Sequence, residues 1–196
     1  MSLKGSITTS DYLPFSDYQK LVQTLIDEEK YWWACYCILS FCTGLRFSDV
    51  RRLRWIDVLD QKNIIVTAKK TNKTHIIPIG NNASDHLNTL YKRMGRPNKT
   101  SYIIAGQQNS EKSVNIQYIN RMLKGFVKKY KLNIEHFSTH TFRKTFGRYV
   151  YEKSGRTNES LLYLNRIFKH RNIETTMVYL GIRDEEIANI YHMIEI

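Results

Sequence analysis

Residues 31–50 read Tyr31-Trp32-Trp33-Ala34-Cys35-Tyr36-Cys37-Ile38-Leu39-Ser40-Phe41-Cys42-Thr43-Gly44-Leu45-Arg46-Phe47-Ser48-Asp49-Val50. From Tyr31 to Cys42 the run is apolar on nearly every side of a helix and is interrupted by Ser40. A helix without a polar stripe has to be enclosed by other elements, so this one is expected at the centre of the core. It falls well short of the roughly 20 apolar residues that a membrane span needs. Gly44 suits the left-handed residue that ends such a helix, and Ser48 is placed to cap a short helix carrying Val50 and Leu53. Arg46 then stands in the tight junction between a buried helix and the next helix start. A guanidinium anchored on rigid backbone is what bidentate phosphate recognition wants. Asp49 offers either a partner for Arg46 or a cap for the following helix, and an Arg–Asp structural pair explains the junction locally just as well.

Upstream, helical periodicity begins near Phe15, with Ser16 or Asp17 as candidate N-cap and Leu21 and Leu25 on one face. Residues 1–14, opening Met1-Ser2-Leu3 before a Gly/Ser/Thr-rich stretch, read as an artificial start or the end of an interdomain linker, and residues 15–196 as one domain. Downstream the period changes. Ile64-Ile65-Val66 and His75-Ile76-Ile77-Pro78-Ile79 are β-rich runs flanking the polar turn Lys70-Thr71-Asn72-Lys73, which predicts a hairpin. Pro78 suggests an edge strand or strand end, and Tyr102-Ile103-Ile104 suggests a third strand.

The remainder reads as helices. One covers Asp85 to Met94 and stops at Gly95 and Pro97. Ser113 is a candidate cap for a helix with Ile116, Ile119, Leu123, Phe126 and Val127 inward. Ser138 or Thr139 opens a helix running to Gly155, with Phe142, Phe146, Tyr149 and Val150 on its apolar side. Leu161, Leu164 and Phe168 mark another, Thr175 to Leu180 a short one, and Ile187 to Ile194 a last. The fold class expected is mainly α with a small antiparallel β-sheet (α+β).

Thirty Lys and Arg against 18 Asp and Glu give a net charge of +12. An excess of that size suggests a polyanionic partner, because each phosphate neutralised releases condensed counterions. A hydrophobic fraction of 42% excludes a disordered chain, and the N-terminus lacks an apolar signal region. Cys35, Cys37 and Cys42 are odd in number and match no common zinc spacing, so buried reduced thiols are expected.

Four stretches carry chemistry. His140 and Arg143 share a helix face, and Gly147 joins it. That face suits an oxyanion approached closely, although His-x-x-Arg alone is also what a solvated helix surface carries. Lys69, Lys70 and Lys73 cluster at the hairpin tip. Lys169-His170-Arg171 precedes Tyr179, which lies nine residues after His170. With 13 tyrosines in the chain, position alone does not single out Tyr179.

In order, Arg46, Lys70 on a β-turn, His140-x-x-Arg143, His170 and Tyr179 resemble the active-site array of the tyrosine recombinase (phage-type integrase) catalytic domain. The stretch 43–53, TGLRFSDVRRL, looks like the family's first-arginine box, and 70–79, KTNKTHIIPI, is similar to its lysine hairpin. HTFRKTFG at 140–147 resembles the His-x-x-Arg box and FKHRNIETTMVY at 168–179 the last box. The last box commonly reads Leu-Gly-His; here Phe168-Lys169-His170 loses the glycine. The small helical DNA-clamping domain that usually precedes the catalytic domain has no room.

The resemblance implies a site-specific recombinase of a mobile element that cleaves and rejoins DNA through a 3′-phosphotyrosine. It makes Tyr179 the nucleophile and Arg46 and Arg143 the phosphate clamp. His140 is the candidate base, His170 orients the phosphate, and Lys70 is the general acid. Lys69, Lys73, Arg51, Lys144, Lys169 and Arg171 are expected to touch DNA. No cofactor, metal or ATP is expected, since no carboxylate cluster suggests a two-metal route. The partner implied is double-stranded DNA with specific core sites, bound by a homotetramer that is a monomer when free. No membrane role is implied, and the location expected is cytoplasmic, associated with a bacterial nucleoid. The tail from Ile187 onward is expected to pack on its own domain or dock on a neighbouring subunit. A type IB topoisomerase and a non-catalytic DNA-binding module are the competing readings.

Overall fold

The computed structural model describes residues 10–67, 74–106, 109–182 and 191–194. Helix α1 (Phe15–Asp27) packs on α2 (Tyr31–Thr43), nine of whose 13 residues are buried, as its lack of a polar stripe requires. Cys35 and Cys37 are wholly enclosed and Cys42 partly so, all three as free thiols. Gly44 ends α2 in the left-handed conformation, φ 57°. The junction is tight as well as left-handed: a Cβ on Gly44 would sit 2.8 Å from the Phe146 ring.

Several helix starts differ from expectation. Helix α1 begins after Pro14 rather than at Ser16 or Asp17. Leu13 is fully buried, and its N–H donates to Thr145 Oγ1 at 2.9 Å while its carbonyl accepts from the same hydroxyl at 3.1 Å. Ser10 to Leu13, expected as linker, therefore lie docked on a later helix. The short helix α3 (Phe47–Val50) starts directly after Arg46, which is extended at φ −72°, ψ 150°, so Arg46 and not Ser48 occupies the N-cap.

Strands β1 (Asn63–Thr67) and β2 (Thr74–Pro78) pair antiparallel in the register Asn63↔Pro78 to Thr67↔Thr74. Ile64 and Val66 face the core, and Pro78 ends the strand where its missing donor costs no ladder bond. Helix α4 (Asn81–Arg93) follows Gly80, starting four residues before Asp85. The expected third strand is not there. Tyr102 makes a single bridge to Arg54 while Ile103 and Ile104 bury in the core, and a second hairpin forms from β3 (Ala105–Gly106) and β4 (Asn109–Ser113). Each sheet has two strands.

Because Ser113 belongs to β4, the cap of α5 (Ile116–Lys129) falls to Asn115, whose Oδ1 accepts from the Tyr118 N–H at 2.7 Å. Ile119, Leu123 and Phe126 turn inward, whereas Ile116, in the first turn, is 38% exposed. Helices α6 (Thr141–Lys153), α7 (Asn158–Phe168) and α8 (Ile173–Leu180) complete the domain. Residues 187–190 of the expected last helix lie outside the described residues; Tyr191 and Ile194 are exposed.

The main core surrounds α2, and a smaller cluster of Tyr151, Leu161, Leu164, Phe168, Leu180 and Ile182 joins α6 to α7 and α8. Gly147 is the contact point. A Cβ there would lie 2.5 Å from Leu180 Cδ2 and 2.9 Å from Phe168 Cζ. The bare face of α6 is thus filled by two helices of the same chain, not left open for an anion. Substituting Gly147→Ala should push α8 away and lower stability by about 1–3 kcal/mol, the usual cost of overpacking. Urea unfolding measures this, and an unchanged midpoint would contradict the packing described.

Candidate active site

Arg143 is only 5% exposed, yet it is the hub of the site. Its Nη1 donates to the Gly44 carbonyl, and its Nη2 donates to the Phe168 carbonyl at 2.9 Å. Its guanidinium also lies 4.3 Å from the centre of the Phe168 ring. Both carbonyls are at helix C-termini, where the last C=O groups have no partner within the helix and carry the negative end of its dipole. One side chain therefore ties the end of α2 and the end of α7 to α6. Burial lowers the Arg143 pKa to about 10, which leaves it charged at neutral pH.

Two residues beyond each of those carbonyls stands another expected site residue. Arg46 follows Gly44 and is exposed, with its backbone fixed as the N-cap of α3. No ion pair joins it to Asp49 among the described residues. Asp49 is buried instead, and its charge favours the protonated forms of His75 and Arg143. His170 follows Phe168. The turn between α7 and α8 keeps a left-handed residue without a glycine: Lys169 itself sits at φ 53°, ψ 47°.

His170 is oriented from behind. Its Nδ1 lies 3.0 Å from the hydroxyl of the buried Thr176, and that hydroxyl accepts from Asn165 Nδ2 at 3.2 Å. This contact leaves Nε2 as the ring nitrogen turned away from Thr176. Burial, then Arg143 and Arg46, bring the His170 pKa down to about 4. His140, at the N-cap of α6, is lowered too, by burial and then by Arg143, Arg46 and Lys144. Its N–H donates to Ser138 Oγ at 3.2 Å, the bond that fixes the entry to the helix.

Tyr179, on α8, lies edge-on to His170 with ring centres 5.1 Å apart and to Phe168 at 5.5 Å. Lys144 Nζ stands 5.2 Å from the centre of its ring. The Tyr179 hydroxyl is sealed from solvent, and the group that faces it as a hydrogen-bond donor is the Arg143 guanidinium. Burial raises its pKa, while the charges of Arg143 and Arg46 oppose the rise. Arg46, His140, Arg143, His170 and Tyr179, distant in sequence, are thus one electrostatic cluster.

The remaining expected residues are placed differently. Lys69, Lys70 and Lys73 lie outside the described residues. Arg51 turns inward, its Nη1 donating to the Val114 carbonyl at 3.4 Å. Arg171 is exposed. Lys169 is exposed but engages His75 Nε2 on β2. His75 is the site neighbour that the sequence reading missed. Burial and then Lys169 hold its imidazole below the usual pKa. The strand's alternation was the available signal, since it puts His75 on the face of Ile77. Among the described residues no three His, Cys, Asp or Glu side chains gather where they could share a metal ion.

Comparison with known proteins gives the family and the fold. The phage integrase family matches residues 11–186, and the chain belongs to that family. It is 24% identical over 155 residues to the tyrosine recombinase XerC of Xanthomonas campestris pv. campestris (strain B100), covering 78% of this chain and 45% of XerC. It is 28% identical over 162 residues to the XerD of Lacticaseibacillus casei, covering 79% of this chain and 52% of XerD. It spans only about half the length of those relatives, but 90% of the probable integrase/recombinase YoeC of Bacillus subtilis (strain 168), 26% identical over 88% of this chain. Among solved structures, XerA recombinase superposes with a TM-score of 0.69 at 20% identity, over 94% of this chain and 66% of that one. A lambda integrase dimer bound to a COC′ core site gives 0.62 at 20% identity, over 88% and 60%. These likenesses establish the fold.

Two outcomes follow from the hub. Arg143→Lys loses the fork that spans two carbonyls and leaves at least one buried acceptor unpaired, so it should cost about 1–3 kcal/mol of stability. Arg46→Lys, exposed and without such bonds, should stay within about 0.5 kcal/mol. Chemical denaturation compares them, and equal losses would contradict the assignment of the hub.

The imidazoles carry a pH signature. Unfolded imidazoles protonate near ~6.5, while folded His170 and His140 resist. In that window the unfolded chain binds more protons, so stability is full above pH 6.5 and falls as pH drops toward 4. Replacing His170 with Gln should flatten that slope in unfolding curves taken across the range; an unaltered slope would contradict the assignment.

Proposed function

We propose that this chain is a site-specific DNA recombinase of a mobile element that cleaves and rejoins strands through a 3′-phosphotyrosine on Tyr179. The observation that carries the reading is the convergence of Arg143, Arg46 and His170 on the buried Tyr179, with the neutral His140 under the same two arginines. A phosphodiester attacked in line builds negative charge on its non-bridging oxygens. Arg46, exposed and preset, and the unused donors of Arg143 hold those oxygens. Losing one such group costs on the order of 3 kcal/mol of barrier.

The Tyr179 oxygen attacks phosphorus and its proton passes to His140, which is neutral and able to accept it. His170 donates from Nε2 to the phosphate. The bond to the 5′-oxygen breaks, and Lys70 gives that oxygen its proton. The products are a 3′-phosphotyrosine and a free 5′-hydroxyl. A 5′-hydroxyl from a partner strand reverses the step, so one phosphodiester is exchanged for another without ATP. No cofactor or metal enters this scheme.

The substrate is double-stranded DNA with specific core sites, approached across the face bearing Arg46, Arg171 and the lysine hairpin. Arg51 is already committed to Val114 and contributes less. The protein is monomeric when free and works on DNA as four copies in the cytoplasm, at a bacterial nucleoid. Residues from Ser10 onward form the catalytic unit.

A pool of nicked duplexes, randomised around the nick, selects the site through SDS-resistant adducts whose cleavage positions are then sequenced. The wild-type chain should form such adducts and Tyr179→Phe should form none. An adduct that persists in Tyr179→Phe would sink the assignment. Because His140 acts while neutral, the cleavage rate should hold as pH falls through 6.5 and decline only below it. A rate that halves already near 6.5 would point to an ordinary exposed imidazole.

A further inference from the structure

We infer that Lys169 and His75 form a latch which positions the lysine hairpin against the turn that carries His170. This rests on the reading of Lys70 as general acid, and it assigns Lys169 and His75 a positioning role rather than contact with the reacting phosphate.

The described strands of the hairpin are joined to the body of the domain close to the turn. On the β1 side, Arg52 Nη1 donates to the Thr67 carbonyl at 3.5 Å, a long bond. On the β2 side, His75 meets Lys169. Between them the paired hydroxyls of Thr67 and Thr74, 3.3 Å apart, close the last rung of the ladder. His75 is five residues from Lys70 in the chain. The other end of the latch is one residue from His170 and ten from Tyr179.

Lys169 occupies a left-handed conformation that glycine adopts freely and that other residues adopt at a cost. The family pattern has glycine at that place. Glu29, Asp60, Arg96, Lys131 and Arg156 hold the same backbone conformation, so what sets Lys169 apart is its side-chain contact with His75 Nε2. An ammonium has three donors and no acceptor, so His75 Nε2 must accept and the imidazole must be neutral. The charges facing His75 agree. Among the described residues, Arg46 from the α2–α3 junction, Arg143 from α6 and Lys169 from the turn are positive, and Asp49 from α3 is negative.

Two rivals make different forecasts. If Lys169 is simply a phosphate contact, its loss weakens DNA binding and reduces the salt dependence. If it is only a substituted glycine, its loss relieves strain and changes nothing else.

The test uses the full chain and begins without DNA, by hydrogen exchange of the amides of Ile65 to Thr67 and Thr74 to Ile77. Lys169→Gly and His75→Leu should each exchange on the order of tenfold faster there, and the double variant no faster than either alone. Lys169→Arg and His75→Gln, which keep a donor and an acceptor, should protect these amides like the wild type. Exchange unaltered in Lys169→Gly overturns the latch.

On a nicked duplex selected as above, Lys169→Gly should melt at a higher temperature yet form the Tyr179 adduct on the order of tenfold more slowly, with DNA affinity unchanged. Wild-type adduct rates in Lys169→Gly, or a loss explained by weaker DNA binding, would overturn the positioning role. If the wild-type chain forms no adduct, the Tyr179 reading fails, while the exchange data still decide the latch.

Discussion

The structure depends on one buried guanidinium that answers two helix ends. Each carbonyl that Arg143 binds belongs to a terminus whose C=O groups would otherwise be orphaned in an apolar setting. An unpaired buried acceptor costs about 1–3 kcal/mol, so the two carbonyls make a charge at this depth tolerable. The ring of Phe168 supplies a third favourable surface. The consequence is geometric. The junction holding Arg46 and the turn holding His170 are set relative to α6, and α6 carries His140 at its start.

That arrangement also sets the electrostatics. Burial, and then the two arginines of the cluster, disfavour further positive charge, which keeps His140 and His170 neutral at physiological pH. The same field opposes what burial does to the Tyr179 hydroxyl. Close packing at Gly147 brings α8 near enough for this to operate. Stability and chemistry therefore share residues, and substitutions in the hub have to be judged on both.

Much of this was legible in the sequence because it is local. The apolar sweep of Tyr31 to Cys42 demanded a central helix, and the residues of each expected box lie within a turn or two of one another. What was missed depends on contacts between elements. Gly147 suited an approaching anion, but Leu180 and Phe168 fill its face. Ser113 suited a cap until β4 absorbed it, and Tyr102 to Ile104 suited a strand but bury as a connection with one bridge. Lys169 looked like a lost glycine, yet the turn is kept and the lysine reaches β2. His75 stands inside the lysine-hairpin stretch, but nothing in that stretch marks it, because its partners come from other elements.

The central claim is that the cluster built around Arg143 activates Tyr179 and no other of the chain's 13 tyrosines. Trapping the wild-type chain on a nicked duplex, digesting it and sequencing the nucleotide-bearing peptide by mass spectrometry tests this most directly. The account predicts one modified peptide, with the nucleotide on Tyr179. A nucleotide on any other residue, or no covalent peptide with DNA that is nonetheless cut, would contradict it.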